Sequence, residues 1–563
     1  MNPYTACQNE LVEITLTSDR SYPDPFNDVE LDALIVSPDG IKAIIPAFWA
    51  GGTTWKIRYA SPLVGKHPFR TRCSDPENTS LHDLRGTIEV SPYSGENPLL
   101  RHGALKVSPS RKYLEHADGT PFLWLGDTWW YGLAERLKWP EEFGELVQDR
   151  VSKGFNVVQL VGGMLPYFTK FDNWMANEAG HPMDEDFKTV NPAYFDMADR
   201  RISCLTAAGI VPCILPAWGY FLKLAGIEGM KKIWRYTVAR WGAHCVIWCL
   251  AGEVRMPYPL YPLVEHPKEW AEAIRELQDG WTEIIKYLRD LDPYHHPVTA
   301  HPSPADASYS SRDLFDDPSL VDIDRLQTGH LGNMTQNVFE YTLEKLNKAL
   351  SNRDVKPVVN GEPSYEGVGG GFCGEATQRF LFWTHLLKGA AGYTYGSAPV
   401  VFFTDRDSRY SKGDMLGSCD ATWQEGAYHF PGSAQLGLGK RFLEQFDWSR
   451  FEPHPEWVEP HASPSDPFSP YCAGIPGEVR IIYLPSFVMP KGRDSSYEKI
   501  HVLGIEEDVA YRSYFFNPRN GDILNRTEVT PSRDGKWTLF PEGHLFLAVP
   551  NLGDWILVLE AKN

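Results

Sequence analysis

The sequence predicts an α/β protein: a (β/α)8 barrel of the TIM type flanked by an N-terminal and a C-terminal β-sandwich. Three observations carry this. Between about residues 105 and 445, eight apolar strand-like runs alternate with amphipathic helix-like segments. On the N-terminal side the pattern changes to short runs with period-two alternation, and on the C-terminal side to further strand-like runs and hairpin turns. Two of the eight central runs end in Gly-Glu, "CVIWCLAGE" at 245–253 and "KPVVNGE" at 356–362. A buried strand that runs into a lone carboxylate is costly unless the charge is paired, neutralised or placed at an opening.

Taken in order, residues 1–95 contain "ELVEITLTS", "VELDALIVSPDG", "KAIIPAFWAGG", "TTWKIRYASP" and "FRTRCS", which read as strands separated by Pro-Asp-Gly and Gly-Gly turns. "SPYSGENPLLRHG" reads as a linker. The barrel is assigned to 101–450. Its strands are expected at 122–130, 155–163, 210–218, 245–253, 297–303, 322–330, 357–363 and 392–400. Helical patterns such as "EEFGELVQDRVSKG", "YFDMADRRISCLTAAG", "EWAEAIRELQDGWTEIIKYLRDL" and "VFEYTLEKLNKAL" lie between them, several ending in Gly or Asp-Pro. A doubly wound open sheet would announce itself by a Gly-rich turn after the first strand, where this chain has "GDTWW". Residues 451–563 return to strands, with "GEVRIIYLPS", "YRSYFFNPRNGDIL", "KWTLFPEG" and "WILVLEAKN".

Composition limits the function classes. A net charge of −19 disfavours nucleic acid and anionic membranes as partners. No apolar run reaches the ~18 residues of a membrane span. The first residues lack a basic and then apolar leader, and the nine cysteines stand without CxxC spacing, so a cytoplasmic protein with reduced thiols is expected. Aromatics make up 13%, including 19 Trp, which suits sugar platforms as well as core packing. A homo-oligomer is left open.

In such a barrel the carboxyl ends of the strands form the active face. That places Glu253, ending strand four, and Glu362, ending strand seven, at one mouth. Two facing carboxylates are what glycoside hydrolysis uses, one attacking the anomeric carbon and the other moving the proton. The competing reading of either Glu is a structural pair with a neighbouring cation such as Arg255. A metal-dependent barrel hydrolase would need His-x-His at the end of strand one, which "GDTWW" does not supply, so no metal and no cofactor is called for. A carbohydrate-binding protein with an inactive barrel is the non-enzyme alternative. The Gly-rich "EGVGGGFCGE" at 366–375 lacks the Lys-Ser/Thr ending of a phosphate loop and reads as a loop able to close over substrate.

The stretches "HADGTPFLWLGDTWWYG", "DRVSKGFNVVQLVGG", "WCLAGE", "KPVVNGEPSYEG" and "WQEGAYHFPGSAQLGLGKRFLEQFDW" together resemble the apiosidase-like family of glycoside hydrolases. The N-terminal "SYPDPFNDVELDALIVSPDG…FWAGGTTWKIRY" resembles the β-sandwich that often precedes such barrels, and the C-terminal region resembles the family's appended domain. The resemblance implies a retaining exo-acting glycosidase with its acid/base on strand four (Glu253) and its nucleophile on strand seven (Glu362). Where relatives often carry Gly-Gly-Asp on strand four, this chain has Ala251-Gly252-Glu253. The resemblance also implies that Asp127 and Trp129 hold the terminal sugar, although Asp127 also suits a helix cap. His301 and His330 would donate to sugar hydroxyls or to the nucleophile, and Trp218, Tyr365 and Tyr395 would line the pocket, with core packing the alternative for each.

Overall fold

The computed structural model describes residues 3–164, 175–257, 267–303, 310–329, 336–368, 373–404, 421–485, 500–538 and 553–562. At its centre are eight parallel strands: β1 (Trp124–Thr128), β2 (Val157–Met164), β3 (Val211–Ala217), β4 (Ile247–Cys249), β5 (Val298–Thr299), β6 (Asp324–Gln327), β7 (Val358–Glu362) and β8 (Gly392–Tyr395). They fall on the eight stretches that the sequence marks, and every one is buried because helices cover the outside and side chains fill the bore. The hydrogen-bonded order is β5-β4-β3-β2-β1-β8-β7-β6. The seam between β5 and β6 is bridged by Asp322 N–H and Ile323 N–H to the Val298 carbonyl, at 2.7 and 3.3 Å, and by Thr299 Oγ1 to the Ile323 carbonyl at 2.9 Å.

The outer layer comprises α1 (Glu141–Ser152), α2 (Pro192–Ala207), α3 (Phe221–Trp241), α4 (Pro267–Leu291), α5 (Gln336–Leu350), α6 (Glu375–Leu387) and α7 (Pro431–Leu443). Two short 3-10 turns, Ser311–Leu314 and Pro318–Leu320, stand between β5 and β6 where a helix would complete the repeat. Much of the tryptophan excess is core: Trp234, Trp241, Trp248 and Trp281 are fully buried. The indole N–H groups of Trp248 and Trp281 reach Asp292 Oδ2 at 3.0 Å and the Gly219 carbonyl at 2.9 Å, so neither donor is stranded.

Ahead of the barrel, a five-stranded sheet and a three-stranded sheet face each other. Their strands alternate as the sequence does: Val12–Thr17 buries every second residue, as does Leu31–Val36, and Ile14, Ile57, Ile35 and Ile88 meet inside. This unit is tied to the barrel by a buried charge cluster. Arg58 Nη2 donates to Asp199 Oδ2 at 2.6 Å, Arg240 Nη2 donates to the same oxygen at 2.6 Å, and Trp241 Nε1 donates to Asp199 Oδ1 at 2.7 Å. Burial works against the Asp199 carboxylate, but Arg240 and Arg58 outweigh it and hold the group well below the usual carboxylate range.

After the barrel, a six-stranded sheet contains Tyr471–Ile475, Val479–Leu484, Tyr511–Phe516 and Trp555–Ala561. Both faces of its central strands are covered. Ile482, Leu484, Phe515, Leu557 and Leu559 pack toward the short strands Val458–Glu459 and His501–Val502, while Ile481, Tyr483, Phe516, Ile556 and Val558 pack on α6 and α7 of the barrel. That is why Val479–Leu484 and Trp555–Leu559 are buried at every position rather than at alternate ones. A buried bidentate pair, Arg379 to Asp554 at 2.7 and 2.9 Å, pins α6 to this sheet. No described helix is long and apolar enough to cross a membrane.

Candidate active site

Glu253 lies just beyond β4, in a turn laced to both neighbouring strands. Gly252 pairs with Trp218 in a parallel bridge, Gly219 N–H donates to the Gly252 carbonyl at 2.6 Å, and Val254 N–H donates to the His301 carbonyl at 3.1 Å. Gly252 is required by close approach, since a Cβ there would collide with the Trp218 ring. Glu253 itself has φ of +43°, a left-handed conformation that costs a non-glycine residue about 1–2 kcal/mol and recurs at functional sites. Its carboxylate, in a residue only 3% exposed, accepts from Trp218 Nε1 at 3.3 Å and Gln327 Nε2 at 3.1 Å.

Glu362 is the last residue of β7. The pairing of β6 with β7 slips at this point, Leu326 facing Asn360 and Gln327 facing Glu362, so that Gly361 bulges out of register. The bulge changes the direction of the side chain. Val358 packs with helix residues outside the barrel and Asn360 Nδ2 lies 3.0 Å from His385 Nε2 on α6, so strict alternation would send Glu362 outward too. With the extra residue it meets His301 instead. Gly361 also leaves room for Arg325, whose guanidinium a Cβ would strike.

His301 Nε2 lies 2.6 Å from Glu362 Oε2, and His301 Nδ1 lies 2.8 Å from the Pro302 carbonyl. A carbonyl only accepts, so Nδ1 carries a proton and one further proton stands between Nε2 and the carboxyl group. Burial and the nearby Arg325 pull the His301 pKa down, while Glu362 pulls it up, and the net direction is down. Arg325 sits in the bore, 1% exposed, with Nη1 at 3.9 and 3.8 Å from the Cys213 and Cys249 sulfurs and Nη2 donating to the Gly361 carbonyl at 3.4 Å and to Gln159 Oε1. None of these contacts is a carboxylate. Burial pushes the Tyr365 phenol well above its ordinary range and the adjacent Glu362 adds to this.

The two carboxylates are brought together by shared neighbours. Gln327 is the strand partner of Glu362 and donates its side-chain N–H to Glu253. Trp218, the other donor to Glu253, lies 5.8 Å from the His301 ring, and Trp130 closes the cluster at 5.3 Å from Trp218 and 5.5 Å from His301. Glu253, Glu362, Trp218, His301 and Tyr365 thus belong to one constellation. Arg255, the cation next to Glu253 in sequence, directs Nη1 to Gln278 Oε1 at 3.0 Å.

Three of the residues expected from the sequence stand elsewhere, and a fourth lies outside the described residues. Asp127 and Trp129 point out of the barrel toward α1. Asp127 Oδ2 accepts from Arg150 Nε at 2.5 Å and Trp129 Nε1 at 2.8 Å, and the Trp129 ring packs edge-on to Phe143 at 5.7 Å. Asp127 therefore ties β1 to the last turn of α1, rather than capping a helix or meeting the carboxylates. Tyr395 also faces outward: its hydroxyl donates to Glu366 Oε2 at 2.6 Å and Arg150 lies 5.8 Å over its ring. His330 lies outside the described residues, as do residues 369–372 of the Gly-rich segment. The residues that sequence reasoning passed over are Trp130, Gln327 and Arg325. Trp130 was within reach, because in "GDTWW" the period of two puts neighbours on opposite sides and only one of the two indoles can face the mouth.

Comparison with known proteins bears on this arrangement. Residues 108–450, more than half of the chain, match the family model described as "Apiosidase-like, catalytic domain". The chain belongs to the apiosidase-like family. It is a glycosidase, and the barrel with Glu253 and Glu362 at its mouth is its catalytic domain. Residues 6–74 match a domain of unknown function, DUF5060. No curated protein matches the sequence. Among solved structures, a glycoside hydrolase family 5 protein from Bacteroides vulgatus aligns at 17% identity over 83% of this chain and 95% of its own, with a TM-score of 0.64. A protein described as "Glycoside hydrolase" aligns at 18% identity over 83% of this chain and 98% of its own, with a TM-score of 0.63. A further Bacteroides vulgatus protein spans 100% of both chains at 18% identity and a TM-score of 0.65. At these identities the likeness is one of fold.

Proposed function

We propose that this apiosidase-like glycosidase is a retaining, exo-acting enzyme that removes a terminal sugar from an oligosaccharide or plant glycoside, with Glu362 as nucleophile and Glu253 as general acid/base. The observation that carries the assignment is the difference between the two carboxyl environments. Glu362 is hydrogen-bonded to His301, and the buried Arg325 guanidinium donates to the carbonyl of the preceding Gly361, so that its fixed positive charge favours the carboxylate that must attack the anomeric carbon. Two donors to Glu253, Trp218 Nε1 and Gln327 Nε2, are neutral and set no positive charge against the proton it would hold for the leaving oxygen. Environments that drive two carboxyl groups apart in this way are how acid and base roles are divided.

In the first step Glu362 displaces the aglycone while Glu253 protonates the departing oxygen. The glycosyl–Glu362 ester is then hydrolysed by a water that Glu253 deprotonates. The proton shared between His301 and Glu362 must lie on His301 when Glu362 attacks, which makes His301 a positioning partner of the nucleophile. Glu253 and Glu362 are 3% and 5% exposed among indole and imidazole walls, an enclosure that suits the end of a sugar chain better than its middle. The described cysteines are free thiols, several of them deep in the barrel, in keeping with work in the cytoplasm.

The test is the stereochemistry of products from an aryl glycoside panel. Wild type should release the retained anomer by NMR. Glu362→Ala should lose several orders of magnitude in turnover, with azide giving the inverted glycosyl azide. Glu253→Ala should keep part of its rate on activated aryl leaving groups, with azide giving the retained product. Inverted sugar from wild type refutes the mechanism, and azide products exchanged between the two variants reverse the roles.

A further inference from the structure

A second concavity lies at the opposite end of the barrel. It is lined by residues just ahead of β1 (Leu123), β7 (Lys356) and β8 (Gly389–Ala391), together with the ends of α5 and α6 and the segment leading into the C-terminal sandwich. Its volume is about 250 Å³, and it adjoins a cavity of about 290 Å³ against the C-terminal sheet. Leu350, Leu387, Lys388 and Pro453 line both. The catalytic carboxylates are at the carboxyl ends of the strands, so this space is no extension of that site.

Its lining has a definite chemical character. Trp448 and Tyr113, packed edge-on at 5.6 Å, give one aromatic wall and Leu350 with Leu387 an aliphatic one. The charged lining residues of the larger seam are Lys112, Lys356 and Lys388, and neither cavity is lined by any Asp or Glu. That is unusual on a chain of net charge −19. Lys112 is engaged by Glu452 at 2.9 Å, and Lys356 by the Val321 carbonyl at 2.9 Å and Asp354 at 3.3 Å. Lys388, at the join of the two cavities, differs. Its ammonium lies 5.9 Å from the Tyr471 ring centroid and makes no ion pair among the described residues. Burial alone pulls its pKa down, with no carboxylate opposing. A partly desolvated cation between apolar walls is half of a recognition site, and an anion with an apolar body supplies the other half.

We propose that this seam is a ligand site for a small amphipathic carboxylate, its anionic group on the Lys388 ammonium and its apolar body between Leu350, Leu387 and the Trp448 ring. Charge complementarity and volume set the class: the space holds one aromatic or short aliphatic acid.

The experiment uses trans-cinnamate and its uncharged counterpart cinnamamide as probes, titrated calorimetrically into the full-length protein. Wild type should bind cinnamate at one site and cinnamamide at least ten-fold more weakly. Lys388→Met should bring cinnamate down to the level of the amide, and Leu350→Trp, which fills the cavity, should abolish both. Glu362→Gln should bind cinnamate as wild type does, which separates this site from the catalytic one. Glycoside hydrolysis by Lys388→Met should match wild type, and circular dichroism with thermal melting should confirm that both seam variants are folded. The proposal fails if cinnamate does not bind, if the amide binds as tightly, if Lys388→Met leaves the cinnamate affinity intact, or if Glu362→Gln removes it.

Discussion

Glu366 gives the sharpest prediction, because it is a buried carboxyl group outside the proposed catalytic pair. It is 3% exposed, behind β8, accepting from Tyr395 O–H at 2.6 Å and Gly432 N–H at 3.2 Å. Burial dominates these bonds and raises its pKa from 4.5 to about 7. The folded protein therefore binds this proton more tightly than the unfolded chain. The contribution to stability is whole below the unfolded value, is lost as pH rises toward about 7, and stays lost above it. A change of this size corresponds to about 3 kcal/mol, of which about 2–3 kcal/mol accrues between pH 5 and pH 8. Glu366→Gln keeps the shape and removes the titration. Urea unfolding of wild type and variant at pH 5, 6, 7 and 8 measures the difference in unfolding free energy. His244 and His385, both lowered by burial to about 4, give wild type an opposing trend, but they are common to both proteins and cancel. The variant should gain on wild type by about 2–3 kcal/mol from pH 5 to pH 8. A difference that stays constant across this range refutes the reasoning, since Glu366 would then titrate where an exposed carboxylate does.

Further predictions concern the site and its support. Trp130→Phe should lower kcat/KM with little change in melting temperature, because its ring closes the cluster over His301 and Trp218, whereas Trp129→Phe should lower the melting temperature and spare kinetics, because its indole serves Asp127. Gly252→Ala should reduce kcat by about 10²-fold or more, since the new methyl displaces Trp218, a donor to Glu253, and misplacement of a catalytic group by ~1 Å has costs of this order. Asp199→Asn should cost about 1–3 kcal/mol in urea unfolding, with little effect on KM, because it removes the carboxylate that Arg58 and Arg240 share while Glu13 still pairs with Arg58 and Asp196 with Arg240.

The order of elements was legible in the sequence because it rests on local periodicity. Eight apolar runs separated by amphipathic segments leave few architectures, and the strand ends then single out Glu253 and Glu362. Period two also marked the N-terminal strands, where one face is wet. The C-terminal strands "VRIIYL" and "WILVLE" read as strands but not as a layer buried on both sides, because the cover over their second face comes from α6 and α7, distant in sequence. Orientation within the site was the tertiary structure's to decide. Asp127, Trp129 and Tyr395 lie on strands that reach the active face, yet their side chains turn to the helices, where Arg150 and Glu366 meet them. Glu362 would turn the same way were it not for the one-residue slip at Gly361, and that slip depends on Arg325 of the neighbouring strand crossing where a Cβ would be. The sequence by itself determined which strands end in carboxylates, a property of single segments. Which way those side chains point is settled by register between segments, and register is fixed only when the strands pair.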